Sequence, residues 1–141
     1  MKTRIISGAV LTVILVGAVL GGGTTMFILA AIITALGLYE LYKVVGIEKK
    51  ALGICGYILA ASFYTMLWFD KLQYLEYFCV ASGILTMFVY VCSFKTTRAK
   101  QAAFSLLGIY YVAIPISYIY RIRIMEKGIF IFILVFVCSW I

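Results

Sequence analysis

The chain has 141 residues, 66% hydrophobic and 12% charged, with twelve Lys and Arg against five Asp and Glu for a formal charge of +7. That composition excludes a water-soluble globular domain, because there are too few polar side chains to cover a surface in water. It also argues against a nucleic-acid binder, since the basic residues fall in short gaps between apolar runs and form no basic face with interleaved polar residues.

A chain dominated by long apolar runs satisfies its backbone in a bilayer by forming helices. The expected fold is therefore all-α, a polytopic transmembrane helical bundle of five helices plus a truncated sixth, forming one N-terminal membrane region over residues 1–141. Lys2 and Arg4 followed by the apolar stretch 5–20 resemble the start of a secretory signal peptide. No A-x-A-like cleavage site follows, so this stretch is expected to stay as a signal-anchor helix. The uncharged run 5–39 is interrupted by Gly21, Gly22 and Gly23, which predict a tight turn between short helices at 5–20 and 25–42. Each arm is a little short for a full span, so local thinning or a partly submerged hairpin is expected.

Residues 43–50 form the first charged loop. A third helix is predicted at 51–69, ending on Trp68-Phe69-Asp70-Lys71, an aromatic pair beside a charged pair as at a membrane–water boundary. A fourth is predicted at 72–94, with Glu76 within about one turn of the surface. The fifth, at 101–120, contains Pro115, which removes a backbone donor and bends its helix. Arg121, Arg123, Glu126 and Lys127 are read as a loop before the sixth apolar run at 128–141. That run has no anchor at its far end. A carboxylate at mid-bilayer depth is costly, so the chain is expected to be the N-terminal piece of a longer protein.

Charge counting gives the orientation. With the N-terminus inside, segments 1–4, 43–50 and 95–100 hold two, three and three basic residues, against none, one and three in the glycine turn, 70–71 and 121–127. Eight against four places the N-terminus in the cytoplasm.

The chemistry-bearing residues are sparse. There is no histidine, hence no usual general base and none of the commonest metal ligand. Cys55, Cys79, Cys92 and Cys138 are scattered in apolar segments and read as small buried hydrophobes. Glu48, Asp70 and Glu126 read as solvated loop carboxylates, and Glu40 as a local helical partner of Lys43 at i+3. Tyr39, Tyr42, Tyr74, Tyr77, Tyr118 and Tyr120 read as an aromatic belt. No catalytic, cofactor-binding or metal-binding residue is assigned.

Four stretches together resemble the N-terminal membrane part of the bacterial phosphatidate cytidylyltransferase (CDP-diacylglycerol synthase) family. They are the opening Met1-Lys2-Thr3-Arg4-Ile5-Ile6-Ser7-Gly8, Leu38-Tyr39-Glu40-Leu41-Tyr42-Lys43, the stretch from Ala103 through Gly108-Ile109-Tyr110-Tyr111 to Val112, and Phe136-Val137-Cys138-Ser139-Trp140-Ile141. The last is similar to the approach to the family's Trp-x-x-Asp-x-x-Ala-Tyr segment, and only Trp140 of that motif lies within the chain. The resemblance implies a multi-pass protein of a bacterial plasma membrane that makes CDP-diacylglycerol and pyrophosphate from CTP and phosphatidate. Mg²⁺ is expected for the full-length enzyme and none is expected on this segment, because the family's metal-binding aspartates would lie beyond Ile141. The implied partners are phosphatidate and CTP, with a homodimer as a further expectation. A transporter or channel fragment and a small non-catalytic membrane scaffold remain alternatives.

Overall fold

In the computed structural model, residues 2–140 are described, apart from the side chains of Lys2, Phe136 and Trp140. The described residues are mostly helical, with no strand among them. The helices are α1 (Lys2–Leu20), α2 (Gly23–Val45), α3 (Ala51–Trp68), α4 (Leu75–Cys92, entered by a 3₁₀ turn Leu72–Tyr74), α5 (Ala99–Gly108), α6 (Ile114–Ile124) and α7 (Gly128–Trp140). Five stretches are long and apolar enough to cross a membrane: Thr3–Leu20, Gly23–Val45, Ala51–Trp68, Leu72–Cys92 and Ala99–Ile124. α7 is shorter.

The glycine turn forms where expected but is tighter. Only Gly22 takes a left-handed backbone, at φ 99°, while Gly23 already opens α2. A residue with a side chain would be strained at Gly22, whereas Gly23 needs no special conformation. The arms are therefore 19 and 23 residues long, not the short helices expected, and α2 is long enough to span without thinning.

The fifth span runs from Ala99 to Ile124 but is not one regular helix. A wider π-helical turn, Ile109–Ala113, sits between α5 and α6, directly before Pro115. Pro115 supplies no N–H, and its ring would crowd a carbonyl one turn back. Opening the preceding turn relieves both faults. The irregularity at Pro115 thus takes the form of a widened turn on its N-terminal side.

The chain forms two compact units, residues 1–32 with 117–141, and Ile33–Ile116. In the first, Ala18, Val19 and Met26 form a buried cluster with Leu29, Ile119, Tyr120 and Phe132 packed on it. Here the expected loop at 121–127 is corrected. Arg121 and Arg123 are helical residues of α6. Arg123 Nε donates to the Val19 carbonyl at 2.8 Å, satisfying one of the acceptors left open at the end of α1. The Arg121 guanidinium lies over the Tyr118 ring, 4.9 Å from its centroid. Both basic residues have partners within this unit, Arg121 nearby on α6 and Arg123 on α1, and the connection reduces to residues 125–127.

In the second unit, two hydroxyl contacts tie helices together across apolar surface. Thr34 Oγ1 and the Tyr64 hydroxyl lie 2.6 Å apart between α2 and α3. The Tyr110 hydroxyl donates to the Cys79 carbonyl at 2.8 Å, joining the π-helical turn to α4. Such bonds are worth most where no water competes. The cysteines are all free, and they depart from expectation: Cys55 is buried, but Cys92 and Cys138 are exposed on apolar helices. A thiol is apolar enough to face lipid.

Orientation is tested by single cysteines in a background freed of the native four. With the N-terminus inside, Thr24→Cys beside the glycine turn should label from outside intact cells and Lys49→Cys should not. The reverse pattern would overturn the charge-based orientation.

Candidate functional site

The most structured polar region lies at one end of the second unit, where α2 ends, α3 begins and α5 begins. The sequence Tyr42-Lys43-Val44-Val45-Gly46-Ile47 explains how α2 stops. Gly46 adopts φ 72°. Gly46 N donates to the Lys43 carbonyl at 3.1 Å and Ile47 N to the Tyr42 carbonyl at 2.9 Å. This is the Schellman pair, completed by packing between buried Ile47 and Tyr42. Only a residue without Cβ enters that backbone region freely, so Gly46 fixes the turn. The charged loop is accordingly 46–50, and Lys43 belongs to α2.

Tyr42 is the centre of this end. Expected in an interfacial belt, it is instead fully buried. Its hydroxyl donates to the Ser105 carbonyl at 2.9 Å, and Ser105 Oγ donates onward to the Leu52 carbonyl at 3.0 Å. Its ring meets Tyr57 edge-on at 5.1 Å between centroids. The ring fits because Gly56 on α3 has no side chain: a Cβ there would collide with the Tyr42 hydroxyl and ring. The other tyrosines singled out in the sequence divide. Tyr39, Tyr74, Tyr77 and Tyr118 are exposed as a belt requires, whereas Tyr120 is partly buried and packs edge-on against Phe27.

Gln101, to which the sequence assigned no role, ties three segments together. Its Nε2 donates to the Val45 carbonyl at 3.2 Å, closing the end of α2. Its Oε1 accepts from Arg98 N at 3.2 Å and from Lys50 Nζ at 3.3 Å. The backbone contact is one half of a capping box. The other half is absent because a guanidinium has no acceptor. Lys50 Nζ also donates to the Thr96 carbonyl at 3.0 Å, which brings the two basic loops to the same end. The only sequence signal was a Gln three residues into a helix. Gln101→Ala should lower the unfolding free energy by about 1–3 kcal/mol, since the Val45 carbonyl and Lys50 each lose a partner. A thermal melt in detergent indistinguishable from wild type would contradict this role.

Beside Gln101 lies an open groove of about 340 Å³. Leu41, Val44, Val45 and Phe104 give it an apolar wall, and Arg98 and Lys100 a basic rim. Lys100 Nζ stands over the Phe104 ring at 5.9 Å.

The carboxylates do not converge. Glu40, Asp70, Glu76 and Glu126 are exposed. Glu40 makes no ion pair with Lys43 among the described residues; Lys43 Nζ sits over the Tyr39 ring instead, at 5.8 Å. Glu48 is not simply solvated: its Oε2 is buried without a hydrogen-bond partner, as is the Tyr57 hydroxyl. No group of three or more His, Cys, Asp or Glu able to hold a metal occurs among the described residues. Five scattered acids do not fit a Mg²⁺ site. The side chain of Trp140, the remaining residue of the resemblance, lies outside the described residues.

A family model described as the cytidylyltransferase family matches residues 2–141. No curated protein and no solved structure matches the chain.

Proposed function

The chain belongs to the cytidylyltransferase family, and from that premise we propose that the full-length protein makes CDP-diacylglycerol from CTP and phosphatidate at the inner face of a bacterial plasma membrane. The family supplies the CTP-using transferase chemistry, and five helices fit for a bilayer supply the location of a lipid acceptor. The observation that carries the lipid half of the reading is that coincidence of a nucleotidyl-transfer family with an almost wholly apolar chain. A water-soluble acceptor would need no such scaffold. Transporter and scaffold readings lose ground because neither accounts for the family.

In the reaction, a phosphate oxygen of phosphatidate attacks the α-phosphorus of CTP. The bond to the β-phosphate breaks and pyrophosphate leaves. A divalent cation would screen the phosphate charges. Its carboxylate ligands, and the catalytic residues, are assigned in this proposal to a segment following Ile141, because the acids of this chain are scattered. The part given to residues 1–141 is to anchor the enzyme, hold the acyl chains beside its helices and present basic side chains at headgroup level.

The test is the purified full-length protein in liposomes containing phosphatidate, supplied with CTP and Mg²⁺. Release of pyrophosphate with formation of CDP-diacylglycerol is expected, and residues 1–141 alone should give none. A full-length protein that cytidylylates only a soluble phosphate would overturn the lipid assignment. Turnover by the isolated segment would overturn the placement of the catalytic residues.

A further inference from the structure

The groove between α2 and α5 combines two features that seldom occur together without a ligand of the same double character. One wall is hydrocarbon: Leu41, Val44 and Val45 from the last turn of α2, with Phe104 opposite. Val44 is 87% exposed, the most of any large apolar side chain among the described residues. The rim is cationic, with exposed Arg98 and Lys100 and no carboxylate among the lining residues. Gln101 sits in the lining too, with its amide occupied by Val45, Arg98 and Lys50, so the floor is fixed rather than adaptable. The volume, about 340 Å³, falls in the range of ligand clefts.

A purely apolar groove on a membrane helix would be filled by any lipid tail. A purely basic rim would be satisfied by counterions. Here Arg98 and Lys100 stand where α5 starts, and Leu41, Val44 and Val45 at the end of α2 supply the apolar wall beside them. A basic rim beside an apolar wall complements a lipid with an anionic headgroup. We propose that this groove binds one anionic glycerophospholipid, its phosphate between Arg98 and Lys100 and an acyl chain along Val44, Val45 and Phe104. Arg98 suits the role because a guanidinium can offer two parallel donors to a phosphate. Lys100 supplies a second charge from the aromatic edge of the groove. The assignment does not depend on the proposed reaction, because the lipid is held by side chains of this segment and no bond in it is made or broken.

Native mass spectrometry of the full-length protein in detergent, with dioleoylphosphatidylglycerol or dioleoylphosphatidylcholine added, tests it. Phosphatidylglycerol is anionic but carries no terminal phosphate monoester, so its retention reports this groove and not turnover. One phosphatidylglycerol should be retained in preference to phosphatidylcholine. The double variant Arg98→Gln/Lys100→Gln should weaken retention roughly thirtyfold, on the usual contribution of two basic residues at a membrane surface. Lys49→Gln/Lys95→Gln, which removes the same charge from loop positions outside the groove, should leave it within about twofold. Equal losses in both pairs would mean general surface attraction and would overturn the site. So would displacement of the lipid by an equal concentration of glycerol 3-phosphate, which shares the phosphate but has no acyl chain. Unaltered thermal melts of both double variants show that a loss is not one of folding, and a collapsed melt is replaced by Val44→Glu, which places an anion on the apolar wall and should expel the lipid alike.

Discussion

Tyr42→Ala should destabilise the protein by about 3–5 kcal/mol, the range for deleting a large buried aromatic side chain. Tyr42 is fully buried and ties its own helix α2 to two others, to α3 through Gly56 and Tyr57 and to α5 through the Ser105 carbonyl. Removing the ring leaves a cavity that rigid helices close poorly, and it leaves the Ser105 carbonyl without its hydroxyl partner. Tyr42→Phe separates the two contributions. It keeps the ring and should cost only about 1 kcal/mol, the net value of one hydrogen bond. Denaturant titration of helicity in a fixed detergent measures both. Equal losses for Ala and Phe would mean that the hydroxyl, not the packing, holds this end together.

Gly56→Val should also be damaging. The nearest atoms to a Cβ at Gly56 are all of Tyr42: its hydroxyl, the carbon that bears it and one ring edge. A tyrosine with free space would swing aside. This one is held by its bond to Ser105, and Gly108 approaches the far edge of the ring, where an added Cβ would stand 3.0 Å from it. The clash therefore spreads into the backbones of α3 and α5, and overpacking of this kind costs about 1–3 kcal/mol or more. The signature is non-additivity. In the double variant Gly56→Val with Tyr42→Ala, the new methyls enter the space the ring vacated, so the pair should be more stable than the sum of the single losses by at least ~1 kcal/mol. Additive losses would show that Gly56 is required for its backbone rather than for Tyr42.

The helices and their approximate limits were legible in the sequence, because run length and charge spacing are set by the bilayer and do not depend on which helix packs on which. What was misread depends on packing. Tyr42 and Tyr39 stand three residues apart near the end of an apolar helix, and composition assigns both to the interface. α3 and α5 bury one and leave the other exposed. Arg121 and Arg123 were assigned to a loop by their charge, yet Arg123 finds a carbonyl at the end of α1, more than a hundred residues earlier, and helix continues beneath it. Pro115 marked an irregularity, but its form, a π-helical turn on its N-terminal side, depends on how the chain relaxes. Gln101 carried almost no signal, since its partners at Val45 and Lys50 are joined to it only by the fold. The groove was not legible at all: its two walls come from residues some sixty positions apart.

Sidedness of lipid cytidylylation joins the family, the membrane fold and the charge-based orientation in one experiment. The full-length protein is reconstituted into phosphatidate-containing vesicles, and its orientation is read by labelling a cysteine placed at Lys49. CTP and Mg²⁺ are then confined to one side. CDP-diacylglycerol should form only when CTP is on the side that exposes position 49. Product formed only with CTP on the opposite side, or no product from either, would contradict an enzyme that works at the face bearing the basic loops.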